Sequence, residues 1–539
     1  MAMNDPVRDD TPSAVALGFD RLAHANMSAI LFDNLEHNGE RIAIHADSGT
    51  YTYAEICALA ARAGHGFNAL DVKPAERIVM LLDDRAEYIA AFFGAVRLGF
   101  VPVLTNISSP AEQIGYFLND SEAPIMVAEA SLLPSLGEHL SQAKHLRQII
   151  VVGGVVPEGL PCPAMSWDDF ISGHSDQLEP AQTDPNDMAF WMYSSGTTGK
   201  PKGVVHLHHD AAYTNMAFTH TTLKLTTDDI AYSVPKIFFA YGFGNSVTFP
   251  FSSGASVVLA AGRPDPARVF DTVEHFKPTV FFGLPTLYNA LIAHEGAKGR
   301  DLSSVRLCIS AAEILPEETF NTWQNQYGLE IIETLGSTEL LHVYLSNQPG
   351  DYRLGSAGKA IAGYEIELRD SDGVKVAAGE TGIMWVRGHS SAVSYWNRPE
   401  ATKDTMREDW IYTGDRFRLD EDGFYYFLGR ADALIKVSGQ WIYPLEIEHC
   451  LGDHPDIVDC AVLGVVKADG LMTTKAFVEL HPGTEAGSDL TKDLQSFVKA
   501  KLLPYKYPRE IEYLAELPKT GTGKVDRHQL KQDHEASLK

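Results

Sequence analysis

Cysteine is scarce in this chain and carries no pattern. Cys57, Cys162, Cys308, Cys450 and Cys460 are odd in number and widely scattered, which argues against a disulfide framework and against a thiolate zinc site, and fits a reducing compartment. No uncharged apolar run reaches the roughly 20 residues of a membrane-spanning helix, and the N-terminal residues show no basic region leading into an apolar core. A cytoplasmic protein with no membrane partner is expected. Basic residues are outnumbered, 44 Lys and Arg against 71 Asp and Glu for a net charge of −27, so a general nucleic-acid surface is excluded and any bound phosphate needs a local site. The acidity itself reads as solvated surface. Internal repeats and low-complexity tracts are also missing, and 539 residues are too many for one hydrophobic core.

Against that background the densest chemistry lies between Tyr193 and His206, which reads Tyr-Ser-Ser-Gly-Thr-Thr-Gly-Lys-Pro-Lys-Gly-Val-Val-His. The apolar run Met188–Met192 before it predicts a buried strand. A strand opening into hydroxyls, glycines and two lysines predicts a loop whose N–H, O–H and ammonium groups close on phosphate oxygens. Only two residues separate Gly196 from Gly199, and Pro201 follows Lys200, so the spacing is not that of a Walker A loop. A flexible Gly/Ser/Thr linker is the bland alternative, and the two lysines and the preceding strand weigh against it.

Along the chain, residues 1–25 read as a polar arm, and helical patterning begins near Met27. Tyr51–Glu55 opens a predicted helix running to about Ala69. Arg77–Leu82 reads as a strand, Glu87–Leu98 as a helix stopped by Gly99, and Val101–Leu104 as the next strand. The alternation recurs at 125–127, 148–152 and 190–193, which predicts α/β layering with mainly parallel strands. Three later segments, 280–286, 308–316 and 331–342, each place small, polar or acidic residues just past an apolar run, where open α/β sheets bind ligands. Before them, past the phosphate loop, Pro235–Asn245 packs four aromatics among small residues. Core packing is the ordinary meaning of such a cluster, while the interleaved glycines leave room for a flat ligand. The pattern after residue 432 suffices for a small domain of about 100 residues.

These segments together resemble the adenylate-forming superfamily of acyl-CoA synthetases, peptide-synthetase adenylation domains and luciferases. The phosphate loop, Gly-Ser-Thr-Glu at 336–339, Tyr-Thr-Gly-Asp at 412–415, Gly-Arg-x-Asp at 429–432 and the terminal Lys524 stand in the family's order, over about residues 40 to 530. Lys236–Asn245 and Gly336–Asn347 look most like benzoate-CoA and related aryl-CoA ligases. Phe239 stands where many relatives carry histidine, which fits the aryl branch. Ala312 stands where benzoate ligases more often show glycine, a departure at the nucleotide site.

The resemblance implies an α/β fold: a large N-terminal domain of layered sheets and helices (26–431) and a small mobile α+β C-terminal domain (432–539). It implies ATP, Mg²⁺ and coenzyme A. Ser194, Thr197, Thr198, Lys200 and Lys202 would hold the β- and γ-phosphates, Glu339 the metal, Thr338 the α-phosphate, Asp415 the ribose hydroxyls and Arg430 the ribose region. Glu333, Thr334 and the loop Ala312, Glu313, Ile314 would frame adenine. Lys524 would bridge the acid carboxylate and the α-phosphate. Asp432 would be the hinge, with Lys436, Ser438, Gly439 and Trp441 toward coenzyme A.

Residues 237–245 contain no acid to pair an amino-acid substrate's ammonium, and an uncompensated charge there would be costly. Phe238, Phe239, Ala240, Tyr241, Gly242, Gly283, Leu335 and His342 instead outline a flat apolar pocket, with His342 either a packed core residue or a partner for a ring hydroxyl. The expected activity is AMP-forming aryl-CoA ligation on benzoate or a hydroxybenzoate. Heteroaromatic or short aliphatic acids, a stand-alone enzyme loading a carrier protein, a luciferase-like oxygenase and a non-enzymatic nucleotide binder are the alternatives. The expected partners are small molecules, and the expected state is a monomer or homodimer.

Overall fold

The computed structural model describes residues 13, 17–194, 200–431, 435–437, 440–442, 444–467, 472–503, 505–520 and 524–537, with the backbone alone at 436, 440 and 441. Thr197, Thr198, Ser438, Gly439, Asp432 and the side chains of Lys436 and Trp441 therefore lie outside the described residues. By contacts the chain divides into two compact units. The first takes in 1–366, 385–412 and 422–425, and the second 367–384, 413–421 and 426–539.

Two large sheets build the first unit. One has nine strands in the order Lys359–Ala360, Val343–Ser346, Ile331–Gly336, Leu307–Ser310, Val280–Gly283, Ile230–Ser233, Ser256–Leu259, Ile42–Ala46, Gly49–Thr52. Its central strands are parallel, and the antiparallel pairs lie toward its edges. The other has eight, in the order Ser394–Tyr395, Lys202–Leu207, Met188–Ser194, Val101–Leu104, Arg77–Leu81, Ile125–Glu129, Gln148–Val152, Ala164–Ser166. The inner strands Val101–Leu104, Gln148–Val152 and Val280–Gly283 are buried along their whole length, and Arg77–Leu81 is buried after its first residue, the pattern of a parallel sheet covered on both faces.

Helices fill the space around these sheets because their sequences cap and face correctly. Thr52 ends a strand rather than opening a helix, and this frees its hydroxyl to accept the Glu55 N–H while the Glu55 carboxylate accepts the Thr52 N–H at 2.8 Å. That reciprocal pair starts the helix Tyr53–Ala69 two residues later than the sequence pattern suggests. The helix Ala86–Arg97 is buried from Tyr88 to Val96. Its Phe92 meets Phe190 of the eight-stranded sheet and Phe243 beyond the nine-stranded one, at centroid distances of 5.8 and 5.1 Å. Such aromatic contacts, with about 150–250 Å² buried per ring, carry much of the core energy.

The second unit has its own core. Ile457–Val466 and Met472–Leu480 pair antiparallel, and Glu510–Leu514 adds a parallel strand. The helices Pro444–Gly452 and Ser488–Lys501 cover them through Ile447, Leu451, Leu494 and Val498, all fully buried. Arg527 closes the unit with a two-pronged ion pair to buried Glu448, at 2.6 and 2.7 Å. The expected α/β class, with a large first body and a smaller α+β second one, is what the structure shows.

Candidate active site

In the first unit the sequence motifs meet at the carboxyl ends of the parallel strands, where the crevice of an open α/β sheet lies. The phosphate-loop stem is a strand pair in which Ser194 stands opposite Lys202 and Tyr193 opposite Gly203. Lys202 Nζ sits 4.3 Å from the centre of the Tyr395 ring and Lys200 Nζ 5.4 Å from that of Tyr116. These cation–π seats hold two ammonium groups beside the loop without neutralising them.

Thr338–Leu340 form one helical turn after the strand Ile331–Gly336. Glu339 Oε1 accepts the Tyr395 hydroxyl at 2.8 Å and lies 3.5 Å from Ser194 Oγ. Its backbone carbonyl accepts from the Ala392 N–H. His206, completely buried, donates from Nε2 to the Thr338 carbonyl at 2.8 Å, and its Nδ1 faces Asp210 Oδ2 at 2.8 Å. Both ring nitrogens thus face oxygen atoms, one from a side chain and one from the backbone. Phe190 stacks on the ring at 5.4 Å. The turn bearing Thr338 and Glu339 is thus fixed to the loop stem by Tyr395, His206 and Asp210, whose roles have no sequence signal because they depend on contacts across 56 and 132 residues.

Among the described residues no three His, Cys, Asp or Glu side chains form a metal cage. One carboxylate beside a serine hydroxyl nevertheless fits Mg²⁺, which takes its remaining ligands from phosphate oxygens and water.

The residues expected to frame adenine also come together. Leu315 N donates to Glu333 Oε1 at 3.3 Å, and Thr334 Oγ1 donates to the Ser310 carbonyl at 3.0 Å. Burial pushes the Glu333 carboxyl up to about 8, opposed only by the Leu315 N–H. The folded state therefore favours the protonated form, and its stabilising effect is complete below the ordinary value near 4.5 and lost as pH rises through 8. Glu333→Gln should remove this loss. Between pH 5 and about 9 the wild type should lose on the order of a few kcal/mol relative to the variant, read from paired denaturation curves; parallel pH profiles would refute the assignment.

Ala312 is exposed and left-handed, with φ of +72°. An alanine there costs roughly 1–2 kcal/mol of backbone strain, while a glycine would cost about 0.5–1 kcal/mol more unfolded-state entropy. The two nearly offset, so Ala312→Gly should shift stability by less than about 1 kcal/mol, whereas Ala312→Val, branched at Cβ, should destabilise by more. Thermal midpoints of the two variants check this ordering. Glu313 and Ile314 are half-buried beside it.

The aromatic segment forms one short helix, Ala240–Phe243, continuing into a π-helical turn at Gly244–Thr248. Gly242 is required there: a Cβ would lie 2.0 Å from the Lys236 carbonyl oxygen. His342 is buried and donates from Nε2 to the Tyr241 carbonyl at 3.0 Å, so its Nδ1 is the acceptor nitrogen. Desolvation lowers its pKa to about 3, so it is neutral. Phe249 stands edge-on to its ring at 4.5 Å and Tyr241 lies tilted against it at 5.5 Å, while a Cβ on Gly244 would strike it at 2.2 Å. Phe238 and Phe239 pack on each other at 4.8 Å. Leu335 is half-buried opposite Leu345, and Gly283 ends its strand against the Tyr288 ring.

In the second unit Arg430 donates to the Thr413 carbonyl at 2.7 Å and pairs with Asp415 at 3.1 Å. Lys524 is exposed, and its carbonyl accepts the Thr520 N–H.

A carboxylate and two ammonium groups around a loop stem, beside a buried carboxyl framing a strand-end loop, define an enzyme that handles a nucleotide phosphate chain. The chain belongs to the AMP-binding enzymes: the family model matches residues 31–396, and the model of the AMP-binding enzyme C-terminal domain matches 446–524. Among its relatives, the benzoate–CoA ligase of Thauera aromatica is 39% identical, over 90% of this chain and 91% of that one. The 4-hydroxybenzoate–CoA/benzoate–CoA ligase of Rhodopseudomonas palustris is 36% identical over 92% of each. The crystal structure of the anthranilate CoA ligase AuaEII with anthranoyl-AMP superposes with a TM-score of 0.90 at 35% identity, covering 97% of this chain and 99% of that one. No described helix is long and apolar enough to cross a membrane.

Proposed function

We propose that this chain is an ATP-dependent, AMP-forming acid–CoA ligase acting on a small aromatic carboxylate of the benzoate or hydroxybenzoate type. The observation that carries the reading is that one short stretch serves both parts of the site: Glu339 lies beside Ser194, and His342, three residues on, holds the acid-free aromatic segment through the Tyr241 carbonyl. A carboxylate is a poor acyl donor because oxide leaves badly. One of its oxygens therefore attacks the α-phosphorus of ATP, the bond to the β-phosphate oxygen breaks, and pyrophosphate leaves. The coenzyme A thiolate then adds to the carbonyl carbon, and AMP departs with the bridging oxygen.

Both steps concentrate negative charge and need fixed donors. Ser194, Thr197, Thr198, Lys200 and Lys202 hold the β- and γ-phosphates, and Thr338 meets the α-phosphate. Glu339 would hold Mg²⁺, which would supply positive charge against the leaving pyrophosphate. Glu333, Thr334 and 312–314 frame adenine, Asp415 takes the ribose hydroxyls, and Arg430 orients it. Lys524 bridges the acid and the α-phosphate. Asp432 is the hinge of the small domain, 432–539, and Lys436, Ser438, Gly439 and Trp441 serve coenzyme A. The burial of four of five unpaired cysteines supports a reducing, cytoplasmic setting, with the enzyme a monomer or homodimer working in aromatic-acid breakdown.

The neutral His342 favours a second detail. Its buried Nδ1 has no hydrogen-bond partner among the described residues, which suits an acid carrying a ring hydroxyl as donor. The reaction path is tested with acid labelled by oxygen-18 in its carboxylate. One label should appear in AMP; label-free AMP would rule out the adenylate.

A further inference from the structure

The aromatic segment is anchored at its start by an ionic cluster. Asp83 and Asp84 follow the strand Arg77–Leu81 of the eight-stranded sheet and are nearly buried. Lys236, at the start of the aromatic segment, donates to Asp83 Oδ1 at 2.7 Å and to the Ala260 carbonyl at 2.7 Å, and lies 3.8 Å from Asp84 Oδ2. Asp84 Oδ1 accepts the Ile237 N–H at 3.0 Å, and Asp83 Oδ2 accepts the Gly262 N–H. The carboxyl ends of three strands in two sheets are therefore tied together at one point.

From this point the chain turns back on itself. Phe239 N donates to the Lys236 carbonyl, and Gly242 packs against that same carbonyl so closely that no side chain fits. A displacement of Lys236 is thus passed directly to Phe239, to Gly242 and to Tyr241, which His342 holds. Two carboxylates against one ammonium is a costly way to stabilise a buried site, since apolar packing would serve at least as well. What it provides is direction: three backbone groups, one past the strand Ile230–Ser233 and two past Ser256–Leu259, are each held by a specific atom.

We propose that Asp83, Asp84 and Lys236 are positioning residues that set the aromatic wall, and through it the apparent affinity and selectivity for the acid. The inference rests on the proposed acid site at that wall. A misplacement of about 1 Å at a binding wall can cost on the order of 10²-fold.

The test compares wild type, Lys236→Met, Asp84→Asn and Lys236→Arg in steady-state kinetics, using the acid that the wild type turns over fastest. Lys236→Met should raise KM for the acid at least 10-fold and flatten the discrimination between that acid and bulkier ones, with KM for ATP within about 2-fold. Asp84→Asn keeps its size and can still accept from Ile237, so it serves if Lys236→Met fails to fold; it should show the same split at about 5-fold. Lys236→Arg, which can still reach Asp83, should recover most of the loss. Amide hydrogen exchange should quicken over 236–243 and stay unchanged over 188–194. Equal changes in the two KM values, or an unchanged acid KM with faster exchange, would reduce the cluster to a structural brace and overturn the proposal. The wild type's own preference judges the aryl reading separately: an aliphatic best substrate would sink that reading while leaving the KM split to decide the cluster.

Discussion

Lys524→Ala should slow acyl-adenylate formation by about 10² or more, while thioester formation from supplied acyl-adenylate and coenzyme A stays near the wild-type rate. The proposed role is to neutralise charge where the acid oxygen meets the α-phosphorus. A single preorganised donor at such a point is worth roughly 10²–10³ in rate. An ammonium on a flexible stem suits a contact made in only one half-reaction, and Lys524 is exposed and lies on a bend rather than in a packed element. Single-turnover measurement of each half-reaction separates the possibilities. An equal loss in both would show that Lys524 acts in general binding or folding, not in adenylation.

Glu339→Gln should be the second severe lesion, lowering the adenylation rate by about 10²–10³ and shifting the Mg²⁺ dependence to higher concentration. Glutamine keeps the shape and can still accept the Tyr395 hydroxyl, so the turn and its ties to His206 and Tyr395 should persist. What disappears is the anionic ligand for a hard cation. Tyr395→Phe provides the contrast. It removes the hydrogen bond to this charged group, 2.8 Å long and worth about 1.5–3 kcal/mol, so it should cost about 10- to 10²-fold, less than the loss of the carboxylate. A Glu339→Gln enzyme with an unchanged Mg²⁺ titration would remove the metal from this residue, whatever the rate.

The fold was legible where short apolar runs end in small or polar residues. The strands at 280–283, 307–310 and 331–336 stand where the sequence places them because buried parallel strands are nearly all apolar. The helix after Thr52 began late because one threonine ends the strand and caps the helix. The aromatic segment was readable only in composition. Its glycine at 242 is needed for a backbone contact within the segment, and its start is fixed by Asp83 and Asp84, which lie 153 residues away in sequence. The same holds for His206 and Asp210. Residues whose chemistry touches a ligand tend to sit in recognisable local strings, whereas residues that position them are defined by tertiary contacts no string records. His342 shows the limit from the other side: it is a packed histidine, buried against Phe249, whose hold on the Tyr241 carbonyl no local string announces.

The central claim is that an aromatic acid and coenzyme A are both needed for turnover. It is tested most directly by release of AMP and pyrophosphate from ATP across a panel of aromatic, heteroaromatic and short aliphatic acids, each with and without coenzyme A. Sustained release only with benzoate or a hydroxybenzoate plus coenzyme A is the predicted result. Preference for aliphatic acids, or a single equivalent released regardless of coenzyme A, would contradict it.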